Sequence, residues 1–171
     1  MTATTTTPPT ARTVIPGPRT RRAPGTEDRW SDLIASVRTA GRYPTTTEAE
    51  HITRTVLSAL AAHVTGDERA ALAGALPREA SEEITARAPA PRPRPAAEFV
   101  DTIAARLEGA TAATARWHAG SVLGALPGLL GDDLTDRLLT HLPPGYALLF
   151  GRAELTPRRP PSPDPPTTPR R

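Results

Sequence analysis

Apolar residues recur along the middle of the chain at the three- and four-residue spacing of helices that bury one side. In the first such stretch they are Ala49, Ile52, Val56, Leu57, Leu60 and Val64. In the second stretch they are Ala119, Val122, Leu123 and Leu126. Because no stretch alternates β-branched and polar residues, strands are not expected, and the pattern predicts an all-α protein.

Two copies of one helical unit explain why this pattern occurs twice. Residues 56–60 (VLSAL), 66–68 (GDE) and 76–77 (LP) return as residues 122–126 (VLGAL), 131–133 (GDD) and 142–143 (LP). The offset stays at 65 or 66 residues through all three landmarks, which local composition alone rarely produces. The sequence therefore predicts about eight helices, arranged as two tandem four-helix repeats that form one compact helical body.

Capping residues indicate where the helices of the first copy begin and end. Thr47 and Glu50 have the spacing of a capping box, which predicts that the second helix begins there. Gly66 is expected to end that helix. Asp67 then caps a third helix, and Pro77 opens a fourth.

Proline and threonine concentrate outside the predicted helices and divide the chain into five segments. These are a disordered N-terminal arm (1–25), repeat 1 (26–86), a Pro-rich linker (87–97), repeat 2 (98–151) and a disordered Pro/Arg-rich tail (152–171). The arm and the tail have too few apolar side chains to offset the entropy of ordering them. Alternating proline in the linker favours polyproline II, which predicts a stiff spacer between the repeats.

Charge follows a similar division. Residues 1–26 hold four arginines and no acid, residues 87–97 hold three arginines and no acid, and residues 152–171 hold five arginines and two acids. These segments together carry +10, and because the whole chain carries +3, the two helical stretches carry −7. The sequence thus predicts a mildly acidic helical body with three basic extensions.

Several residue types are missing, and each absence removes a class of chemistry. The chain has no cysteine, lysine, asparagine or glutamine. It therefore has no disulfide, cysteine nucleophile, cysteine metal site or lysine Schiff base. Residues 1–10 lack a charged start followed by an apolar run, and no apolar stretch is long enough to cross a bilayer, so we expect a cytoplasmic protein without a membrane partner.

The combined signals resemble a known bacterial family. An aromatic residue leads an early helix of each copy (Trp30 and Phe99), each long helix carries Val-Leu-x-x-Leu, and a Gly-Asp turn and a Leu-Pro step follow. Over roughly residues 29–151 this combination resembles the bacterial domain of unknown function 2267 family. The resemblance implies an all-helical fold of two repeats, and it implies no particular catalytic or binding residue.

Neither the histidines nor the acidic residues form a pattern typical of an active site. The histidines are His51, His63, His118 and His141. No two of them stand four residues apart, which excludes the zinc motif HExxH. Asp132, Asp133 and Asp136 cluster at a helix start, where acids are ordinary partners of the helix dipole. We therefore predict no catalytic residue, no metal site and no cofactor.

One side of the second long helix departs from the simple amphipathic pattern. The apolar side leaves Trp117 nearly opposite, flanked by Gly120 and Gly124. A large aromatic residue beside glycines lets another helix approach closely, and His51 has the corresponding position in the first copy. Two interpretations stay open: these faces meet each other or the linker inside the monomer, or the Trp117 face binds another protein or a second copy of this chain.

The basic extensions are a second candidate for binding. The arginines considered as phosphate contacts are Arg19, Arg21, Arg22, Arg92, Arg94, Arg158 and Arg159. Flexible basic arms of this kind contact the nucleic-acid backbone. Because these segments have no aromatic residue to stack on bases, and the body is acidic, such binding is expected to be weak, non-specific and salt-sensitive.

The expected function is therefore that of a non-catalytic cytoplasmic helical interaction or scaffold protein. The alternative is non-specific nucleic-acid binding through basic disordered arms. A third hypothesis is an enzyme with a site in the groove between the repeats, but no motif in the chain requires it.

Overall fold

The described part of the chain folds into helices and connecting turns. The computed structural model describes residues 26–90 and 92–152, and within them it contains nine helices and no strand. The helices are α1 (Thr26–Gly41), α2 (Thr46–Leu60), α3 (Gly66–Ala75), α4 (Arg78–Thr85), α5 (Ala96–Ala104), α6 (Ala112–Leu123), α7 (Pro127–Leu130), α8 (Asp132–His141) and α9 (Tyr146–Leu149). The prediction of an all-α protein is confirmed. The arm predicted over 1–25 and the tail beyond Arg152 lie outside the described residues.

The residue that caps α2 is Thr45, two residues before the predicted cap. Its hydroxyl oxygen accepts a hydrogen bond from the backbone N–H of Glu48 at 3.2 Å. Residues 45–50 (TTTEAE) contain the Thr-x-x-Glu spacing twice, and the chain uses the first because the backbone is extended at Thr45 and already helical after it. The predicted box of Thr47 and Glu50 is therefore wrong.

Helix α2 also ends earlier than predicted, at Leu60 rather than near Gly66. The N–H of His63 bonds to the carbonyl of Leu60, three residues back, at 2.8 Å, which tightens the last turn and stops the helical ladder. Gly66 has a φ of 60° and begins α3, whose cap is Thr65 rather than the predicted Asp67. The turn that results carries His63 into the core.

Helices of the first half pack directly against helices of the second half. Helix α1 lies against α2 and α6, α2 lies against α5 and α6, and α3 lies against α8. The buried apolar side chains form one cluster, with members such as Leu33, Leu57, Phe99, Leu123 and Leu138. Burial of this shared cluster stabilises both halves at once.

The linker is docked along the helical body and does not hold the halves apart. The backbone N–H of Ala90 donates to the carbonyl of Ala62 at 2.8 Å, and the N–H of Arg94 donates to His63 Nδ1 at 3.1 Å. The hydroxyl of Tyr146 donates to the carbonyl of Arg94 at 3.2 Å. The predicted spacer is thus bonded to the helical body through backbone groups of Ala90 and Arg94.

Several helix boundaries recur between the halves at the predicted offset. Thr45 and Thr111 each cap a helix by accepting from the N–H three residues on, at 3.2 Å in both cases. Gly66 and Gly131 have φ values of 60° and 76° at the starts of α3 and α8. The extra turn α7 begins at Pro127, which makes nine helices in the described residues instead of about eight. The duplication itself stays a prediction.

Candidate functional site

The indole of Trp117 lies on the surface of α6 with one edge bonded inside the chain. Trp117 is 54% exposed, and of the large apolar residues whose side chains the structure describes, only Leu148 is similarly exposed. The indole Nε1–H donates to the carbonyl oxygen of Gly41 at 3.2 Å, across 76 positions of sequence. The ring is therefore held in one orientation while about half of the residue remains accessible.

The end of α1 is shaped to present that carbonyl group. The N–H of Tyr43 bonds to the carbonyl of Arg38 at 3.0 Å. The N–H of Arg42 bonds to the carbonyl of Thr39 at 3.3 Å, which completes a Schellman motif with Arg42 in its left-handed position, at a φ of 54°. A Cβ added at Gly41 would lie 2.1 Å from the Tyr43 ring, so only glycine fits where the ring covers the helix end.

His118, next to Trp117, joins α6 to the same turn. Its Nδ1 lies 2.7 Å from the hydroxyl oxygen of Tyr43, and the two ring centroids are 5.5 Å apart. Burial lowers the pKa of His118 and raises the pKa of Tyr43, so both rings are uncharged at neutral pH and are joined by a neutral hydrogen bond. This contact fixes the end of α1 against α6.

The two glycines leave bare backbone beside the indole. A Cβ added at Gly120 would meet no atom within 4 Å, and Gly124, which caps the end of α6, is exposed. His51 is exposed on α2, and among the described residues it makes no hydrogen bond or ring contact with Trp117. The structure thus places Trp117 and Gly120 on α6 and Gly124 directly after its end, and it leaves His51 on α2.

Of the seven arginines predicted to contact phosphates, only those in the linker fall within the described residues. Arg92 and Arg94 are exposed, and Arg94 Nη1 lies 3.8 Å from Glu98 Oε2. The other five lie outside the described residues: Arg19, Arg21, Arg22, Arg158 and Arg159.

The acidic cluster at the start of α8 is engaged by a cation of the protein itself. Arg152 Nη2 lies 2.5 Å from Asp132 Oδ1, and Arg152 Nη1 lies 3.1 Å from Asp136 Oδ1. Across residues 26–90 and 92–152 no group of histidine and acidic residues is arranged to hold a metal ion. In the same ranges no helix is both long and apolar enough to cross a bilayer.

Sequence reasoning missed a shallow groove on another part of the body. Its lining residues are Arg54, Thr55, Ser58, Glu83, Arg87 and Arg106. The arginines come from α2, from the start of the linker and from the turn after α5, so no short motif joins them. Only the packing of these elements brings the three guanidinium groups to one groove.

Fold and site together define a small all-helical protein with a docked linker, an exposed aromatic face and a groove of arginines. The chain belongs to the family described as uncharacterized conserved protein (DUF2267), whose model matches residues 30–149, more than two thirds of the chain. The resemblance drawn from Trp30, Phe99 and the repeated motifs is thereby confirmed. Comparison with curated proteins gives no match. Because the family description names no activity, function has to be argued from the site.

Proposed function

We propose that this protein is a non-catalytic helical interaction protein whose Trp117 face, formed by Trp117, Gly120 and Gly124, binds a second copy of the chain. The observation that carries the proposal is an indole that is bonded to the Gly41 carbonyl and yet 54% exposed. A ring that is already ordered loses little conformational entropy on binding, and it still has apolar area to bury.

The Trp117 face combines an exposed aromatic ring with open backbone. Trp117 is 54% exposed, and the backbone at Gly120 is open because no atom lies within 4 Å of an added Cβ. A two-fold dimer requires a surface that is complementary to itself. An exposed indole and open backbone on one side of the chain provide such a surface, because the indole of one copy can pack against the glycines of the other.

The test measures the mass of the full-length protein in solution across a range of concentrations, by light scattering and analytical ultracentrifugation. The wild type is expected to form a dimer, and both Trp117→Ala and Gly120→Glu are expected to be monomers. Gly120→Glu adds bulk and charge to open space and removes no buried contact. The matched control is Gly74→Glu on α3, which also extends into open space and should keep the dimer.

Two results would contradict this proposal. One is a wild type that stays monomeric at high concentration. The other is a Trp117→Ala variant that loses much stability and keeps its mass, because the indole would then serve only the monomer by packing on the turn at Gly41.

The alternative function is non-specific nucleic-acid binding through the basic extensions. It is favoured by the exposure of Arg92 and by the Arg94 side chain, which is 61% exposed. Fluorescence anisotropy with a duplex oligonucleotide at rising salt tests it, since log affinity should fall by about 0.9 per log unit of salt for each phosphate contacted. The double variant Arg92→Gln, Arg94→Gln should reduce that slope, and binding that ignores salt would exclude this function.

A further inference from the structure

A shallow groove of about 190 Å³ lies between α2, the end of α4 and the turn that follows α5. We name it the arginine groove, after three of its lining residues. Those residues are Arg54, Thr55, Ser58, Glu83, Arg87 and Arg106. None of them belongs to the Trp117 face, so an inference about this groove is independent of the function proposed for that face.

Arg54 is fully engaged within the protein. Its Nη2 lies 2.9 Å from Glu50 Oε1, and its Nη1 lies 3.2 Å from Glu83 Oε1. Its guanidinium carbon lies 5.1 Å from the centre of the Trp30 ring, a cation–π contact. Because two carboxylates offset its charge, Arg54 needs no further anionic partner.

Arg87 and Arg106 are in a different situation. Within residues 26–90 and 92–152, neither guanidinium group forms an ion pair with a carboxylate. Arg87 Nε donates to the hydroxyl oxygen of Ser58, a neutral partner, at 2.6 Å. Burial, followed by the positive charge of Arg87, lowers the pKa of Arg106. Two like charges therefore face one groove, and the carboxylate that also lines it, that of Glu83, is paired with Arg54.

Solvent and nearby helix ends together explain how the protein tolerates these two charges, because both arginines are exposed. Arg87 follows the end of α4 at Thr85, and Arg106 follows the end of α5 at Ala104. The carboxyl end of a helix carries roughly half a negative charge, which favours cations within the last turn. This offset is only partial, so the groove keeps a positive potential that a bound anion would lower.

From this geometry we propose that the arginine groove binds the phosphate group of a small phosphorylated molecule. Arg87 and Arg106 supply charge-assisted donors, and guanidinium groups suit phosphate because they donate two parallel hydrogen bonds. The Ser58 hydroxyl accepts from Arg87 and has a proton of its own, so it can serve as a third donor.

The size and charge of the groove select a single phosphate group. Its volume of about 190 Å³ is below the roughly 300–1,000 Å³ of ordinary small-ligand pockets, so the rest of the ligand lies outside it. Glu83 also lines the groove and repels a second phosphate, although Arg54 offsets part of its charge. A terminal phosphate therefore fits better than a polyphosphate chain or a nucleic-acid backbone.

The test titrates the full-length protein with inorganic phosphate in chloride buffer of constant ionic strength, and it follows the thermal unfolding midpoint and the heat of binding. The midpoint is expected to rise with phosphate concentration, as it does for any ligand that binds only the folded state. Arg87→Gln and Arg106→Gln are each expected to weaken phosphate binding by about tenfold or more. Arg137→Gln removes an exposed arginine of α8 outside the groove and should leave binding unchanged.

Stability without phosphate separates a ligand-binding arginine from a structural one. Arg106→Gln is expected to be at least as stable as the wild type in chloride alone, because it removes the repulsion with Arg87. A lower midpoint for Arg106→Gln in chloride would show a structural role and overturn the proposal. A wild type that does not respond to phosphate would overturn it too, as would an equal loss of response in Arg137→Gln. If a duplex oligonucleotide binds through Arg87 and Arg106 while inorganic phosphate does not, the ligand class is wrong.

Discussion

The side chain of Arg69 shows how one residue of α3 joins the ends of other helices. Its guanidinium group donates to the backbone carbonyls of Ala61, Val64, Ile84 and Arg87. These carbonyls lie just beyond α2, in the last turn of α4 and at the start of the linker, where helical N–H partners run out. Sequence patterns did not identify Arg69, because an arginine after two acids at a helix start is unremarkable.

We predict that Arg69→Lys destabilises the protein by about 2 kcal/mol although it keeps the charge. A lysine ammonium is compact and cannot reach carbonyls on two helix ends together, so some of them lose their donor. Urea denaturation measures the change in unfolding free energy. The matched control, Arg137→Lys on the exposed side of α8, should change it by less than about 0.5 kcal/mol. Similar small effects from both substitutions would refute this role of Arg69.

At the scale of elements, the linker makes contacts that its sequence did not predict. Its proline content predicted a stiff spacer, and in the structure side chains from both halves also bond to Arg94. His63 Nδ1 accepts the Arg94 N–H at 3.1 Å, and the Tyr146 hydroxyl donates to the Arg94 carbonyl at 3.2 Å. The ring of Phe99 lies 5.5 Å from His63 and 5.3 Å from Tyr146, measured between centroids. We call the bonds of His63 and Tyr146 to Arg94 the linker clamp.

The linker clamp requires an uncharged His63. This residue is 5% exposed, and burial, followed by the charges of Arg94 and Arg106, lowers its pKa, while Glu98 acts in the opposite direction. Protonation of Nδ1 removes the acceptor for the Arg94 N–H. Burial also raises the pKa of Tyr146, so its hydroxyl stays a donor through the neutral range.

We predict that the free energy of unfolding falls as the solution is acidified from about pH 7 to about pH 5. Histidine in an unfolded chain has a pKa of about 6.5, and folded His63 has a lower pKa. Between these two pKa values the unfolded state binds more protons than the folded state. The contribution of His63 to the free energy of unfolding is therefore complete above about pH 6.5, and it is lost progressively as the pH falls towards the pKa of the folded state. Urea denaturation at a series of pH values measures this dependence.

Two substitutions locate the source of the pH dependence. His63→Gln keeps a side-chain acceptor that does not titrate, so it should flatten the curve. The flattening is partial, because burial also lowers the pKa of His118. His51→Gln, at an exposed position of α2, is the control and should leave the curve as in the wild type. A His63→Gln curve identical to that of the wild type would show that the linker clamp is not the source.

At the scale of the whole molecule, the two halves depend on one another. Helix α1 packs against α6, and α2 packs against both α5 and α6. The end of α1 is bonded to α6 through the Trp117 indole and through the hydrogen bond between Tyr43 and His118. The docked linker adds bonds from Arg94 to both halves. The repeats predicted from the sequence therefore share a single core.

We predict that neither half folds alone. A fragment of residues 26–90 exposes the sides of α1 and α2 that contact α5 and α6, and chains of about 60 residues are marginal even when their core is complete. Circular dichroism and amide exchange measure folding of fragments 26–90 and 92–152, separately and mixed, with 26–152 as the intact control. Helicity should recover on mixing, whereas cooperative unfolding of a separate fragment would indicate an independent repeat.

The sequence by itself determined the all-α class, the family and the outward position of Trp117. It did so because helical periodicity and capping act over three or four residues along one chain segment. Even these local rules placed some ends wrongly where two signals competed, as at Thr45 and Thr47.

Only the tertiary structure decided what the two halves build together. Arg87 and Arg106 meet at one groove, and Trp117 reaches Gly41 across 76 positions of sequence. The linker's proline content likewise did not reveal that His63 and Tyr146 bond to Arg94. Such contacts depend on how whole helices pack, and packing is set by the shapes of distant buried surfaces, for which short-range patterns along the chain contain no signal.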